Sequence, residues 1–507
     1  MESTRRKAAH DHPRVLMGPD NSATGEARRQ TPRRRFAFHC CKGRFQVLGH
    51  YVNIQFLLLG VVEFLAAYGG GYLAMKILEP FLGQHLGEVV VHRELLIATA
   101  TLSFGFLALG LYDTRQRERW NGILFRILLA LVFSALALMV LDRLLPYISW
   151  TDAQGLAYGI GAVIPILAIR PLFYRYIDGR ILLRNVLVLG AGRRAGYIQG
   201  LRRKADRRGF RLLGFVATPD CQDIQVDRDK LLNSNGAFCV DALALGADEI
   251  VIAVDDRRHS LPIDELLDCR MSGLDVIDAI DFFEREQALL HLDLLQPGWL
   301  IHADGFRRST IRAFAKRGFD LVVSLLLLTV LGLPALVTAL AIWVESRGRG
   351  PIFYRQVRTG LGGQPFEVIK FRSMRTDAEA DGKARWAQKN DPRVTRVGRV
   401  IRKYRLDEIP QLWNVIRGDM SLVGPRPERP EFVEQLDALN PLYHERHRVR
   451  PGLTGWAQVS YPYGATPQDA MQKLQYDLYY IKNQTLFFDF YILVQTVEVV
   501  LFRKGAQ

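Results

Sequence analysis

The sequence predicts a multi-domain membrane protein with a four-helix transmembrane bundle, an α/β domain behind it, and a C-terminal region opened by a broken apolar run. Three observations carry this. Apolar runs near 52–78, 94–111, 122–142 and 155–174 are each long enough to cross roughly 30 Å of hydrocarbon. The segment 185–192 runs four apolar residues into Gly190-Ala191-Gly192, the strand-to-helix turn of a parallel α/β unit. A fifth apolar run, 321–344, is interrupted at Gly332-Leu333-Pro334 and is basic on both flanks.

The 507 residues are enough for three or more units. Hydrophobic residues make up 49%, but the average hides long apolar runs beside strongly basic stretches. The net charge of +15 is concentrated in the N-terminal tail and beside the apolar runs. That placement favours an anionic lipid surface and phosphate-bearing substrates, and no nucleic-acid module stands out. Five scattered cysteines without a Cys-x-x-Cys argue against a disulfide framework or a zinc site. Residues 1–46, rich in Arg and polar residues, read as a disordered basic tail. The first apolar run begins near Val52, too far in for a cleavable signal peptide.

Within the bundle, 47–176, Glu63 and Arg126 interrupt the first and third runs and are expected to face other helices or lie near an interface. The second connection carries Arg115, Arg117 and Arg119, whereas 79–93 and 143–154 hold only Arg93 and Arg143. The positive-inside rule then places the tail, that connection and everything after Tyr174 in the cytoplasm.

The next unit, 181–290, is expected to be a doubly wound, Rossmann-like α/β domain, with further strands at 211–218, 248–254 and 274–279. Gly190 and Gly192, followed by Ala195, give a G-x-G-x-x-A pattern, which makes them candidate nucleotide-binding residues. Arg193 and Arg194 are candidate phosphate partners. The nearest ribose-binding acid, Asp220, lies beyond the usual spacing, so a structural or regulatory role is favoured over a dehydrogenase.

The fifth run divides at Pro334 into halves of about ten residues, each roughly 15 Å as helix. Arg307, Arg308, Arg312, Lys316 and Arg317 precede it, and Arg347, Arg349, Arg355 and Arg358 follow. Both ends therefore favour the cytoplasmic face. The expectation is a re-entrant helical hairpin that turns back at the proline.

Further on, Asp407 and Glu408 stand just before Pro410, followed by Leu412, Val415 and Ile416 at helical spacing and a stop at Gly418. Arg402, Lys403, Arg405, Arg417, Arg426 and Arg429 surround them. First-turn acids are ordinary helix caps. Ringed by arginines, such a pair is also suited to a phosphate ester with a divalent metal. A strand-like FEVIKF brings Lys370, Arg372 and Arg375 close to the membrane segment.

The ordered motifs KFRSM, LDEIPQLWNV, GDMSLVGPRP, RPGLTGWAQV and YDLYY resemble the monotopic phosphoglycosyl transferases, or polyprenyl-phosphate hexose-1-phosphate transferases, of bacteria. The resemblance covers about 307–507. It implies a mainly α monotopic catalytic domain with a re-entrant membrane helix broken at Pro334. The bundle and α/β domain in front resemble the large family members that start exopolysaccharide or O-antigen repeats. By motif, Asp407 would be the nucleophile that takes a hexose-1-phosphate from a UDP-sugar, releasing UMP. Polyprenyl phosphate would then accept the sugar phosphate. Glu408 would assist metal placement or proton handling, with Mg²⁺ held at Asp407. Lys370, Arg402, Arg426 and Arg450 match positions used around the diphosphate, and Arg372 joins Lys370 on its strand. The resemblance implies the bacterial cytoplasmic membrane, with the catalytic domain on its inner face, and leaves a homodimer open. Leu333 precedes Pro334 where small members often have Ser.

Two other readings are a membrane-tethered NAD-dependent nucleotide-sugar dehydratase or epimerase, and a non-enzymatic scaffold for polysaccharide assembly. The first calls for Tyr-x-x-x-Lys, whose match, Tyr72 to Lys76, lies inside an expected span. His444 and His447 lack a third ligand motif and are read as surface or phosphate-proximal.

Overall fold

The computed structural model describes residues 40–41, 44–47, 50–82, 88–112, 120–144, 152–176, 183–201, 210–219, 221, 223–233, 238–256, 261–295, 299, 305–306, 309–378, 391–462, 464 and 466–501. Three short antiparallel strands come first: β1 (Cys40–Cys41), β2 (Arg44–Val47) and β3 (His50–Asn53). Residues 40–41 and 44–46, at the end of the expected tail, are therefore strand. The rest of that tail, like Asp220 and Arg115, Arg117 and Arg119, lies outside the described residues.

Four helices follow: α1 (Ile54–Leu82), α2 (Glu88–Ala108), α3 (Trp120–Leu144) and α4 (Asp152–Tyr176). α1 packs along α4 and α2, and α2 packs against α3. A methyl group added at Gly70 would meet the Gly161 carbonyl oxygen at 2.2 Å, so α1 and α4 touch backbone to backbone. Their apolar outer faces (Leu65, Leu73, Ile160 and Ile164) are exposed. Among the described residues, four helices are long and apolar enough to cross a membrane: α1, α3, α4 and the later helix Thr310–Glu345. The bundle is thus four helices by packing, and among the described residues α1, α3 and α4 qualify as spans by length and composition.

The charges inside these apolar runs are buried and paired, as low-dielectric surroundings require. Arg170 Nε lies 2.6 Å from Glu63 Oε1, and Tyr112 donates to Glu63 Oε2 at 2.9 Å. Arg126 donates to Glu498 Oε1 at 2.8 Å.

The α/β unit is a five-stranded parallel sheet built from β4 (Arg184–Leu189), β5 (Phe210–Val216), β6 (Leu231–Leu232), β7 (Glu249–Ile252) and β8 (Asp275–Asp278). Its order is β6-β5-β4-β7-β8. Alternation along β4 sends Val186 and Val188 to one apolar layer and Leu187 and Leu189 to the other. The first layer is closed by α5 (Arg193–Gln199), the second by α6 (Phe238–Ala244) and α7 (Ile263–Met271). α8 (Ala279–Gln287) returns to the first layer through Phe282 and Phe283.

The chain then forms α9 (Thr310–Glu345), helical throughout with Pro334 inside it. Both of its ends dock on the C-terminal region. Lys316 donates to Asp489 Oδ2 at 2.8 Å and Arg317 to the Val415 carbonyl at 2.5 Å, while Glu345 accepts from the Val397 amide at 3.1 Å. Its middle residues Val330, Leu333 and Val337 stand exposed.

The C-terminal region is mainly helical. Its strands are the antiparallel pair β9 (Phe353–Thr359) and β10 (Pro365–Phe371), and the parallel pair β11 (Ser421–Val423) and β12 (Gly452–Thr454). Its helices are α10 (Arg396–Lys403), α11 (Gln411–Arg417), α12 (Pro430–Leu439), α13 (Trp456–Ser460), α14 (Pro467–Lys482) and α15 (Leu486–Leu501). The α/β unit is joined to it tightly. Trp456 donates to the Ala288 carbonyl at 2.8 Å, and Lys482 and Asn483 both donate to Glu284. The sequence suggests an interfacial helix for 486–502, yet Asp489, Gln495 and Glu498 on α15 are buried against protein while Phe490 and Val497 are partly accessible. Lys316 and Arg126 take up the two carboxylates, so the polar stripe is an internal contact.

Candidate functional site

The site begins with a local conformation. Arg405 adopts φ 57°, in the left-handed region, which costs about 1 kcal/mol for a residue with a β-carbon. It redirects the chain out of α10 into a single 3₁₀ turn, Leu406–Glu408, ahead of Pro410 and α11. Asp407 and Glu408 therefore ride on a tight turn rather than on the first turn of an α-helix. Gly418 at φ 102° ends α11 where the sequence indicates.

The turn opens into a cavity of about 1230 Å³. Asp407, Glu408, Lys370, Arg372, Arg402 and Arg426 all line it. Arg450 is the one expected phosphate partner not brought to it. Its Nε donates to the Gly418 carbonyl at 3.0 Å, so it caps the C terminus of α11, where carbonyls lack helical partners.

Glu408 is the electrostatic hub. Its Oε1 lies 2.9 Å from Arg426 Nη2, 3.4 Å from Arg405 Nη1 and 3.9 Å from Lys370 Nζ. Burial by itself would raise this carboxyl, but Arg426, Lys370 and Arg405 together hold it well below the usual carboxylate range. Asp407 is the opposite case. It is 8% exposed, and among the described residues its Oδ1 has no hydrogen-bond partner. Burial, and then the charge on Glu408, push its carboxyl up to about 6 against Lys370, Arg405 and Arg402. Burial also draws the Lys370 ammonium down to about 8, with Glu408 opposing and Arg426 adding to it. Two adjacent carboxyls thus have divergent acidities, a pattern that separates chemical roles.

Two supports escape a reading of the sequence for charge. Asn414, fully buried on α11, accepts from the Ile369 amide at 3.0 Å and donates to the Glu367 carbonyl at 2.7 Å. It clamps β10 to α11 and so sets Lys370 against Glu408. A polar residue beside the apolar face formed by Leu412 and Val415 was the available signal. Asn414→Ala would leave both backbone groups unpaired. We expect a loss of about 2 kcal/mol in unfolding free energy by chemical denaturation, with weaker binding of a nucleotide diphosphate by titration.

The second support is Arg446, within the 3₁₀ segment Pro441–Arg448. It donates to Asp477 on α14 at 2.8 Å, to the Arg426 carbonyl at 2.9 Å and to the Tyr443 hydroxyl. Asp477 thus holds Arg446, which anchors the backbone of Arg426 and so the guanidinium that reaches Glu408.

The glycine-rich turn of the α/β unit is arranged differently. Asp255 Oδ2 accepts from the Arg193 amide at 2.8 Å and Oδ1 from the Arg194 amide at 3.0 Å. These are the amides that would meet a pyrophosphate at this type of turn. A methyl at Gly192 would fall 2.0 Å from Asp255, so the glycine is needed to admit the chain's own carboxylate. Gly190 packs against the Ala253 carbonyl. Tyr72 and Lys76 lie on α1, stacked on His92 and paired with Glu79 respectively.

The family model for bacterial sugar transferases matches residues 311–503. A UDP-glucose:undecaprenyl-phosphate glucose-1-phosphate transferase of Caulobacter vibrioides is 44% identical over 193 residues, 38% of this chain and 71% of that one. The chain belongs to the bacterial sugar transferase family. Another sugar transferase, a UDP-N-acetylgalactosamine-undecaprenyl-phosphate N-acetylgalactosaminephosphotransferase of Aeromonas hydrophila, is 47% identical over 199 residues. That match covers 39% of this chain and 46% of its relative, so the chain spans about half of that protein's length. A UDP-glucose:undecaprenyl-phosphate glucose-1-phosphate transferase of Xanthomonas campestris pv. campestris is 28% identical over 487 residues, 91% of this chain and 96% of that one. The similarity to the Xanthomonas sugar transferase therefore extends through the bundle and the α/β unit.

Proposed function

We propose that this chain transfers a sugar-1-phosphate from a UDP-sugar to undecaprenyl phosphate through an aspartyl-phosphosugar intermediate on Asp407. The carrying observation is the unpartnered, buried Asp407 Oδ1 in a cavity lined with cationic side chains. An oxygen of Asp407 forms a bond to the sugar-bearing phosphorus, and the bridging bond to UMP breaks with its electron pair leaving on UMP. A phosphate oxygen of the lipid then attacks the same phosphorus and the aspartyl carboxylate is regenerated. Each half exchanges one anhydride for another, so no deep trap forms. Arg426, Lys370 and Arg402 offset the repulsion between a carboxylate and an anionic diphosphate. Relatives named as UDP-sugar:undecaprenyl-phosphate transferases support the substrates.

A bound Mg²⁺ fits the donor set: Asp407 Oδ1 is buried and has no hydrogen-bond partner among the described residues, and this ion commonly uses one or two carboxylates plus substrate phosphates. Asp407 Oδ1 would hold it, and its chemistry would be charge neutralisation on the transferring phosphoryl group.

We read the sheet as Rossmann-like and structural, since Asp255 fills its anion position. We read α9 as re-entrant, with both ends on the cytoplasmic face of the inner membrane. The support is that Lys316 and Glu345 engage the same C-terminal region. Cysteines placed at 316 and 355 should label from the same side, and opposite sidedness would refute the arrangement. For the activity, membranes holding the full chain are supplied with labelled UDP-sugar, Mg²⁺ and undecaprenyl phosphate. Label should enter lipid with UMP release; wild-type membranes that release no UMP would overturn the proposal. The product would start an exopolysaccharide or O-antigen repeat.

A further inference from the structure

The cavity at Asp407 does not end at the charged residues. Its wall continues as Phe104 and Ala108 of α2, Val323 and Leu327 of α9, and Leu493 and Val497 of α15. It is charged at one part and apolar at another, and its 1230 Å³ exceeds the usual few hundred to roughly 1,000 Å³ of a small-molecule pocket. That polarity fits a ligand with a phosphate head and a long hydrocarbon tail.

The apolar part combines two regions of the chain. α2 belongs to the bundle, while α15 belongs to the C-terminal region. Phe104 and Phe490 meet with ring centroids 6.0 Å apart. The junction is fixed by a buried ion pair, since Arg126 on α3 donates to Glu498 on α15 and to the Leu109 carbonyl just past the end of α2. At the other end of α15, Asp489 takes Lys316 of α9. The Arg126–Glu498 pair is buried and Lys316 reaches a buried Asp489, where losing a partner is costly, so α2, α9 and α15 are held in register.

We infer that the bundle helix α2, clamped to α15 by Arg126 and Glu498, forms with α9 and α15 an isoprenoid-binding groove that receives the tail of the lipid phosphate. The inference rests on the transferase reading of the Asp407 site and deepens it. The bundle then belongs to the acceptor site and is more than an anchor. Each methylene buried in the groove favours binding, so tail contacts there favour a long-chain acceptor over a short one.

The test compares undecaprenyl phosphate with farnesyl phosphate as acceptors for the full chain in membranes. In Ala108→Trp the indole fills the groove, and the ratio of long-chain to short-chain turnover should fall by more than about tenfold. Leu96→Trp, on an exposed part of the same helix outside the cavity, should leave that ratio unchanged. An unchanged ratio in Ala108→Trp would overturn the groove and indicate that bulk lipid occupies it. An equal fall with both acceptors would overturn it as well, by showing a general packing defect. UMP release that persists in either case leaves the transferase reading standing, whereas wild type inactive with both acceptors and releasing no UMP refutes that reading and the groove together.

Discussion

Asp407→Asn is expected to abolish sugar-phosphate transfer and UMP release, with a loss of at least about three orders of magnitude, and to make the protein more stable. The first effect follows from removing the oxygen that forms the covalent bond. The second follows from linkage. Folding raises the Asp407 carboxyl to about 6, above the ordinary aspartate range, so the native state carries an unfavourable charge at neutral pH. That penalty is present above the folded value and is relieved as pH falls through about 6 toward the unfolded value. Asparagine removes it at all pH, with a gain on the order of 2 kcal/mol at neutral pH that vanishes in acid. Turnover by the wild type should fall about tenfold per pH unit below about 6 as the nucleophile is protonated. Nucleotide release and thermal unfolding of the full chain at several pH values measure both effects. A variant that retains wild-type turnover would end the nucleophile assignment.

Arg446→Met is expected to be the most destabilising single change near the site. It strands Asp477, which is 2% exposed, and frees the Arg426 carbonyl. Losing one member of a buried pair costs about 3–5 kcal/mol, because the remaining charge is uncompensated. The double variant Arg446→Met, Asp477→Leu should regain most of that stability. It should not regain affinity for the UDP-sugar, since the backbone of Arg426 still lacks its anchor. Unfolding midpoints together with KM separate the two contributions. Recovery of both stability and KM in the double variant would show that Arg446 serves folding alone.

The outline was legible from residue order because it depends on local chemistry. Long apolar runs must leave water, which set α1, α3, α4 and α9. Alternating apolar residues bounded by turns set the strands of the α/β unit, and Pro410 and Gly418 bracket α11. The Asp407–Glu408 pair and the lysine and arginines that face it were likewise readable, since the motifs keep their order along the chain.

What the tertiary structure decided is which partner each polar group meets. The sequence indicates that Glu63 and Arg126 need company; packing supplies Arg170 to the first and Glu498, 372 residues away, to the second. Arg450 looks like a phosphate ligand in its motif, yet the chain turns it onto the Gly418 carbonyl. Gly190 and Gly192 read as a nucleotide turn, and only the fold shows that Asp255 occupies its amides. Asn414 and Arg446 act through backbone atoms brought near by folding, so the groups they hold cannot be read from spacing along the chain. Hydrophobic burial is non-directional and can be read from composition and period. Hydrogen bonds and ion pairs are directional and short-ranged, so their partners are fixed only once the chain has packed.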